Sequence, residues 1–122
     1  MIKKIRVLHV DDNDDARTLL SLLISQEEDL EEVGSHHNAD GLQKLIRETV
    51  PDVLLIDLTM PGKDPIEAIH EVRTAFPDLR IVAVSGSVDP RLLARAQQAG
   101  VSQLARKTCD IGETLEVIRG LR

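Results

Sequence analysis

One short stretch constrains the fold of this chain more than any other: Val53-Leu54-Leu55-Ile56, followed directly by Asp57. Four consecutive apolar residues, bounded by Pro51-Asp52 and Pro61-Gly62, predict a short β-strand that is buried on both faces. The carboxylate closes this run where the chain must turn, and ligands of open parallel sheets bind beyond the carboxyl ends of the strands. Asp57 is therefore a candidate functional residue. The alternative is that it only caps a strand end.

Strand and helix signals alternate along the whole chain. Strands are predicted over residues 5–10, 31–36, 53–57, 80–84 and 102–106. A helix start follows each strand, and the predicted capping residues are Asn13, Asn38, Asp64 before Pro65, Asp89 before Pro90, and Asp110 with Glu113 three residues later. Five strand–helix units with short connections predict a parallel sheet with helices on both faces. We expect residues 1–122 to form a single domain.

Composition narrows the possible functions. The formal net charge of −6 argues against non-specific binding of nucleic acid or membranes by this domain. No apolar run approaches the roughly 20 residues that span a bilayer. The single cysteine, Cys109, cannot form an internal disulfide and is typical of a reducing compartment, so we expect a cytoplasmic location.

Polar side chains follow four of the five predicted strands. Asp11 and Asp12 follow the first, Asp57 the third, Ser85 the fourth and Lys107 the fifth. Because the carboxyl ends of parallel strands share one edge of the sheet, these side chains should converge. Three close carboxylates repel one another and suit Mg²⁺, which binds carboxylates, waters and phosphate oxygens. The lysine and the serine hydroxyl can bind an anionic group, and a phosphoryl group arriving on Asp57 fits this arrangement.

The blocks that carry this pattern resemble the bacterial response-regulator receiver domain along essentially the whole chain. They are Asp11-Asp12, Asp57 with Met60-Pro61-Gly62, Ser85-Gly86, Ala99-Gly100 and Lys107. The resemblance implies a flavodoxin-like (βα)5 fold, a doubly wound five-stranded parallel sheet in the order 2-1-3-4-5. It also implies a protein that is not an enzyme in the usual sense, because it catalyses only its own phosphorylation and dephosphorylation.

The resemblance also implies a role for each site residue. Asp57 would accept phosphate from a sensor histidine kinase, a phosphotransfer protein or a small phosphodonor. Asp12 and Asp57 would bind Mg²⁺ with the main-chain carbonyl of Thr59, and Asp11 would act partly through water. The Ser85 hydroxyl would move toward the phosphoryl group, and Lys107 would pair with a phosphoryl oxygen. The surface formed by the fourth helix, fifth strand and fifth helix would change between two conformational states to control an output or a partner. Two copies of the chain could also form a homodimer through this surface.

Two positions depart from the family pattern. Leu104 stands where the family usually has an aromatic residue, and Thr108 follows the lysine where a proline is common. Lysine without proline is commoner in regulators with a helix-turn-helix output. One hypothesis is therefore that this chain is the receiver part of a DNA-binding transcription regulator.

Three other function classes stay open at this point. A phosphate-independent pseudo-receiver would bind proteins only, but it would be expected to lack an acid, the acceptor or the lysine. A phosphatase with an aspartyl nucleophile would want a second aspartate where Thr59 stands. A flavin carrier would need an uncharged phosphate loop in place of the acids after the first strand. Two histidine features indicate structural roles: we expect His9 to be a packed strand residue, and His36-His37 to form a solvent-exposed strand end at which the two side chains point apart rather than a metal pair.

Overall fold

Five strands alternate with five helices in the computed structural model, which describes residues 3–86, 89–107 and 111–121. The strands are β1 (Ile5–Val10), β2 (Leu30–His36), β3 (Val53–Asp57), β4 (Arg80–Ser85) and β5 (Gln103–Arg106). The helices are α1 (Asp14–Ser25), α2 (Leu42–Thr49), α3 (Pro65–Ala75), α4 (Pro90–Ala99) and α5 (Ile111–Gly120).

The strands form one parallel sheet in the order β2-β1-β3-β4-β5. This is the doubly wound, flavodoxin-like topology that the resemblance implied, and it confirms the parallel sheet that the residue pattern predicted. The strand order reverses direction between β1 and β3, and open α/β sheets bind ligands in the crevice at such a point. Among the described residues, no helix is long and apolar enough to cross a membrane.

The sheet separates two apolar clusters, because successive side chains of a strand point to opposite faces. On β3, Leu54 and Ile56 face the cluster that includes α2, α3 and α4. Val53 and Leu55 face the cluster that includes α1 and α5. All five residues of β3 are buried, as expected for a central strand covered on both sides.

Three of the predicted helix caps are confirmed. The side chains of Asn13, Asp64 and Asp89 accept hydrogen bonds from the backbone N–H groups of Ala16, Ile66 and Arg91. In a βα unit the helix starts lie at the carboxyl edge of the sheet, so these caps anchor the loops that carry the candidate site. Thr108, Cys109 and Asp110 lie outside the described residues, as does the proposed cap of α5.

Two local predictions are wrong. Asn38 does not cap α2: its Oδ1 accepts a hydrogen bond from Asp40 N at 2.9 Å in a local turn, and the helix begins after Gly41. Gly41 adopts φ +66°, a left-handed conformation that glycine reaches easily. His36 and His37 do not point apart, since their ring centroids are 5.3 Å from each other. β2 ends at His36, so strand alternation no longer separates the two rings.

Candidate functional site

The carboxyl edge of the sheet collects the polar residues that the sequence singled out. Asp11 and Asp12 directly follow β1, Asp57 is the last residue of β3, and Lys107 directly follows β5. Ser85 is the last residue of β4, one position beyond the predicted end of that strand. The backbone N–H of Lys107 donates to the Ser85 carbonyl at 3.0 Å, which places these two residues side by side.

Asp57 is far more buried than its place at a strand end suggests, with a relative exposure of 2%. Its Oδ2 accepts a hydrogen bond from Lys107 Nζ at 2.8 Å, and its Oδ1 accepts one from Thr59 N at 2.9 Å. Burial raises the pKa of Asp57 above its ordinary value, and the bonds from Lys107 and Thr59 offset this effect only in part. The carboxylate is therefore held in one orientation, but its charge is only partly compensated.

Lys107 connects two of the three acids. Its Nζ lies 2.8 Å from Asp57 Oδ2 and 3.1 Å from Asp11 Oδ2. Desolvation lowers the pKa of Lys107, but the bonds to Asp57 and Asp11 outweigh it, so that the pKa is raised overall. The ammonium thus carries its charge at neutral pH and stands beside the buried carboxylate.

The three acids form a group that suits a hard divalent cation. Asp11, Asp12 and Asp57 each offer a carboxylate oxygen, and these atoms lie within 4.8 Å of one another. Asp11 is oriented by a hydrogen bond from Asn13 N to its Oδ1 at 2.9 Å, whereas Asp12 is exposed. An all-oxygen donor set of one or two carboxylates with room for water is the environment that Mg²⁺ prefers. A single lysine cannot neutralise three carboxylates, so a cation at this place would relieve their repulsion.

A cavity of about 220 Å³ extends from Asp57 and Lys107 between the sheet, α1 and α5. Its walls include Leu20 and Arg17 of α1 and Thr114 of α5. The Arg17 guanidinium donates to the main-chain carbonyl of Asp11 and pairs with the Asp14 carboxylate. Arg17 is a support of the acidic loop that sequence reasoning missed, although the i, i+3 spacing of Asp14 and Arg17 is a signal that could have indicated it.

His9 lies on the same side of the sheet and is 1% exposed, which confirms that it is a packed strand residue. Its Nε2 contacts Glu32 of β2, and Ser21 of α1 donates to the same carboxylate. The partners are far apart in sequence, and no spacing rule would have revealed this cluster. It ties α1 to β1 and β2 immediately before the acidic loop.

Leu104 packs half-buried against the apolar cluster on the α4 side of the sheet. The position at which the resemblance leads us to expect an aromatic ring is thus filled by an aliphatic side chain that already contacts the core.

The family model for the response regulator receiver domain matches residues 7–119. The response regulator GacA of Pseudomonas aeruginosa is 34% identical over 115 residues, which are 94% of this chain and 54% of the relative. The chain thus spans about half the length of the curated relatives it matches.

Two solved structures have nearly the same fold. A two-component response regulator of the LuxR family from Aurantimonas superposes with a TM-score of 0.88 and 28% identity, over 98% of this chain and 85% of the other. A DNA-binding response regulator of the LuxR family from Staphylococcus aureus gives a TM-score of 0.87 and 25% identity, over 96% of this chain and 98% of the other.

Proposed function

This chain belongs to the response regulator receiver domain family of two-component systems, and from this premise we propose that Asp57 accepts a phosphoryl group from a histidine kinase in a Mg²⁺-dependent reaction. One observation carries the proposal: Asp11, Asp12 and Asp57 offer oxygens within 4.8 Å of one another, beside Lys107. Residues 1–122 would act as one cytoplasmic receiver domain that modifies only itself and turns over no separate substrate.

Each side chain has a role in this reaction. A carboxylate oxygen of Asp57 attacks the phosphorus of the donor, an acyl-phosphate bond forms, and the phosphorus–nitrogen bond to the donor histidine breaks. Lys107, now 2.8 Å from Asp57 Oδ2, is close enough to pair with a phosphoryl oxygen on that carboxylate. The Ser85 hydroxyl would donate to another phosphoryl oxygen.

The Mg²⁺ ion would neutralise charge on the phosphoryl group during its transfer. Asp12 and Asp57 would hold the ion together with the main-chain carbonyl of Thr59, and Asp11 would contribute partly through water. The partial exposure of Asp11 and the exposure of Asp12 are consistent with a site that solvent and a phosphodonor can reach.

Phosphorylation would shift the population of two states of the surface formed by α4, β5 and α5, and this surface would contact a partner or a second copy. Leu104 replaces the usual aromatic residue, so the inward movement would involve an aliphatic side chain. Because a relative of similar structure is a DNA-binding response regulator, we propose that this receiver controls a transcription output located elsewhere in its protein or in a partner.

A phosphate-independent pseudo-receiver is the second candidate, and the geometry disfavours it. Such a protein has no need to bring three acids and a lysine together, because the repulsion among close carboxylates only destabilises it.

The proposal is tested by incubating the chain with Mg²⁺ and acetyl phosphate or phosphoramidate and measuring its intact mass. We expect one added phosphoryl group, no adduct after chelation of the metal, and no adduct on Asp57→Asn. Asp78→Asn, which removes an exposed carboxylate at the opposite edge of the sheet, is the matched control and should be labelled normally. Failure to label the native chain under conditions that label another receiver would exclude the proposal.

A further inference from the structure

A second concave surface lies at the amino edge of the sheet, at the end of the molecule opposite to Asp57. This amino-edge groove has a volume of about 980 Å³, at the upper end of the range for ligand pockets. The connections from α2 to β3 and from α3 to β4 form its walls, together with Lys3, Lys4 and Leu121. None of the residues assigned to phosphoryl transfer lines it.

The groove displays two apolar side chains, of which Phe76 also packs against the core and Val50 is mostly exposed. Phe76, the single aromatic residue of the chain, is half-buried in its wall. Val50 is 67% exposed, against 46% for Leu19 and 54% for Leu22, the other large hydrophobic residues that are exposed in the described chain. Aromatic side chains and exposed apolar surface are features of contact sites rather than of solvated turns.

Val50 is also held in a conformation that a β-branched residue rarely adopts. Its backbone has φ +48° and ψ 62°, and it is the only residue other than glycine with a positive φ in the part of the chain described. Arg6 keeps it there: Nε donates to Val50 O at 3.1 Å and Nη2 donates to Thr49 O at 2.6 Å. Glycine or asparagine would be the less strained choice at such a helix end. Backbone strain of this kind is concentrated at functional positions.

The charge of the groove is opposite to that of the molecule. Four basic residues surround it, Lys3, Lys4, Arg47 and Arg80, against two acids, Asp52 and Asp78, in a chain whose net charge is −6. Asp52 already accepts a hydrogen bond from Arg6 N at 2.9 Å. Lys3, Lys4 and Arg47 form no ion pair with any residue in the described ranges. A ligand with both apolar side chains and carboxylates would match the apolar residues Val50 and Phe76 and the basic residues around them.

We propose that the amino-edge groove binds an acidic peptide segment of a partner protein, with apolar side chains of the segment packed on Val50 and Phe76 and its carboxylates paired with Lys3, Lys4 and Arg47. The groove is open and bounded by several connections, which suits a peptide better than an enclosed small molecule. This inference does not depend on phosphoryl transfer at Asp57.

The test uses two synthetic peptides and the isotopically labelled chain. One peptide alternates glutamate with leucine and phenylalanine, and the other has lysine in place of every glutamate. In NMR titrations we expect the acidic peptide to shift amide signals of the groove residues and to bind at least about 10-fold more tightly than the basic peptide. Increasing salt should weaken the acidic peptide's binding.

Two variants separate docking from a structural role. Arg47→Glu should weaken binding about 5- to 10-fold, whereas Lys44→Glu, the same charge change on another exposed position of α2, should leave it within about twofold. Val50→Asn should raise the melting temperature, because asparagine tolerates the left-handed conformation, and yet weaken binding. A residue with a purely structural role would not change these two properties in opposite directions.

Four results would overturn the proposal. The first three are the absence of groove shifts with the acidic peptide, equal binding of the two peptides, and equal effects of Arg47→Glu and Lys44→Glu. Concentration-dependent self-association in analytical ultracentrifugation that Arg47→Glu abolishes would likewise overturn it, because the occupant would then be a second copy of the chain.

Discussion

The two edges of the sheet hold their charged side chains in opposite ways. At the carboxyl edge, three carboxylates lie close together and share one lysine. At the amino edge, arginines donate to carbonyl groups near the ends of helices: Arg6 to Thr49 and Val50, Arg73 to Phe76, Pro77, Leu79 and Gly100, and Arg80 to Leu121.

The helix direction explains this difference. In βα units the helices end at the amino edge, where their last carbonyl groups have no partner within the helix and carry partial negative charge. Arginine, with five donors, satisfies several of them at once. The carboxyl edge has an excess of negative charge instead. We therefore expect loss of these arginine contacts at the amino edge to destabilise the fold, and removal of a carboxylate at the other edge to stabilise the metal-free protein while abolishing its proposed activity.

The largest effect on stability is expected for Gly100→Ala, at the end of α4. Gly100 has φ +114°, and an added Cβ would lie 2.6 Å from Arg73 Cγ. The change combines backbone strain with displacement of the arginine, so we expect a loss of about 3–4 kcal/mol in the free energy of unfolding, measured by urea denaturation. Gly120→Ala, where an added Cβ meets no atom within 4 Å, is the control. Similar losses for both variants would contradict this account.

Arg73→Met should have the next largest effect. Its guanidinium donates to Gly100 O at 3.0 and 2.8 Å and to Leu79 O at 2.6 Å, and so connects the end of α4 to the turn before β4. Methionine keeps the apolar stem but leaves these carbonyls without their donor, and we expect a loss of about 2–3 kcal/mol. Arg73→Lys keeps the positive charge but not the planar guanidinium group. It should therefore recover only part of the stability that Arg73→Met loses. Full recovery would show that charge, rather than geometry, is decisive.

The sequence predicted which polar side chains meet at the carboxyl edge, but it did not predict the arginine contacts at the amino edge. The reason for this difference is physical. Asp11, Asp57 and Lys107 directly follow or end strands, and parallel strands bring such positions together whatever the details of packing. The helix caps at Asn13, Asp64 and Asp89 follow from equally local rules, whereas the strand order was implied by the resemblance to the receiver domain. The bonds of Arg6 and Arg73 instead join residues up to 44 positions apart through side chains that could point in many directions.

The same limit explains the errors at the level of single residues. Asn38 has the side chain of a helix cap, but a competing turn to Asp40 uses its oxygen first. Asp57 ends its strand as predicted, but its near-complete burial depends on the packing of α1 and α5 against the sheet. Neither outcome is encoded in a local pattern. Backbone topology is thus more predictable than the surroundings of an individual side chain.

At the carboxyl edge, Asp57→Asn should raise the stability of the protein in the presence of a chelator. The substitution removes a buried charge and its repulsion from Asp11, while Lys107 keeps Asp11 as a partner at 3.1 Å. We expect a gain of about 1–2 kcal/mol at neutral pH, measured by urea denaturation. Asp52→Asn at the amino edge should have the opposite sign, because Asp52 Oδ2 accepts a hydrogen bond from Arg6 N. A loss of stability in Asp57→Asn would disprove the proposed difference between the two edges.

The smallest effect is the pH dependence of that gain. Burial raises the pKa of Asp57 in the folded chain above the ordinary value of 3.8 that applies when the chain is unfolded. Below pH 3.8 the carboxyl group is protonated in both the folded and the unfolded chain. The folded chain then buries a neutral group, and the stability that it has relative to burying a charge is fully present. As the pH rises through the folded-state pKa, the buried group ionises and this contribution is lost.

The stability difference between Asp57→Asn and the native chain should therefore be small in acid, grow with pH, and become constant above the folded-state pKa. Urea denaturation of both proteins in chelator across this range measures it. Val72→Ala is the control, because Val72 is buried in the apolar cluster on the other face of the sheet and its truncation removes no titratable group. The stability difference between this variant and the native chain should not vary with pH. A difference for Asp57→Asn that shrinks as the pH rises would mean that the pair with Lys107 outweighs burial, and the carboxyl edge would then be as well compensated as the amino edge.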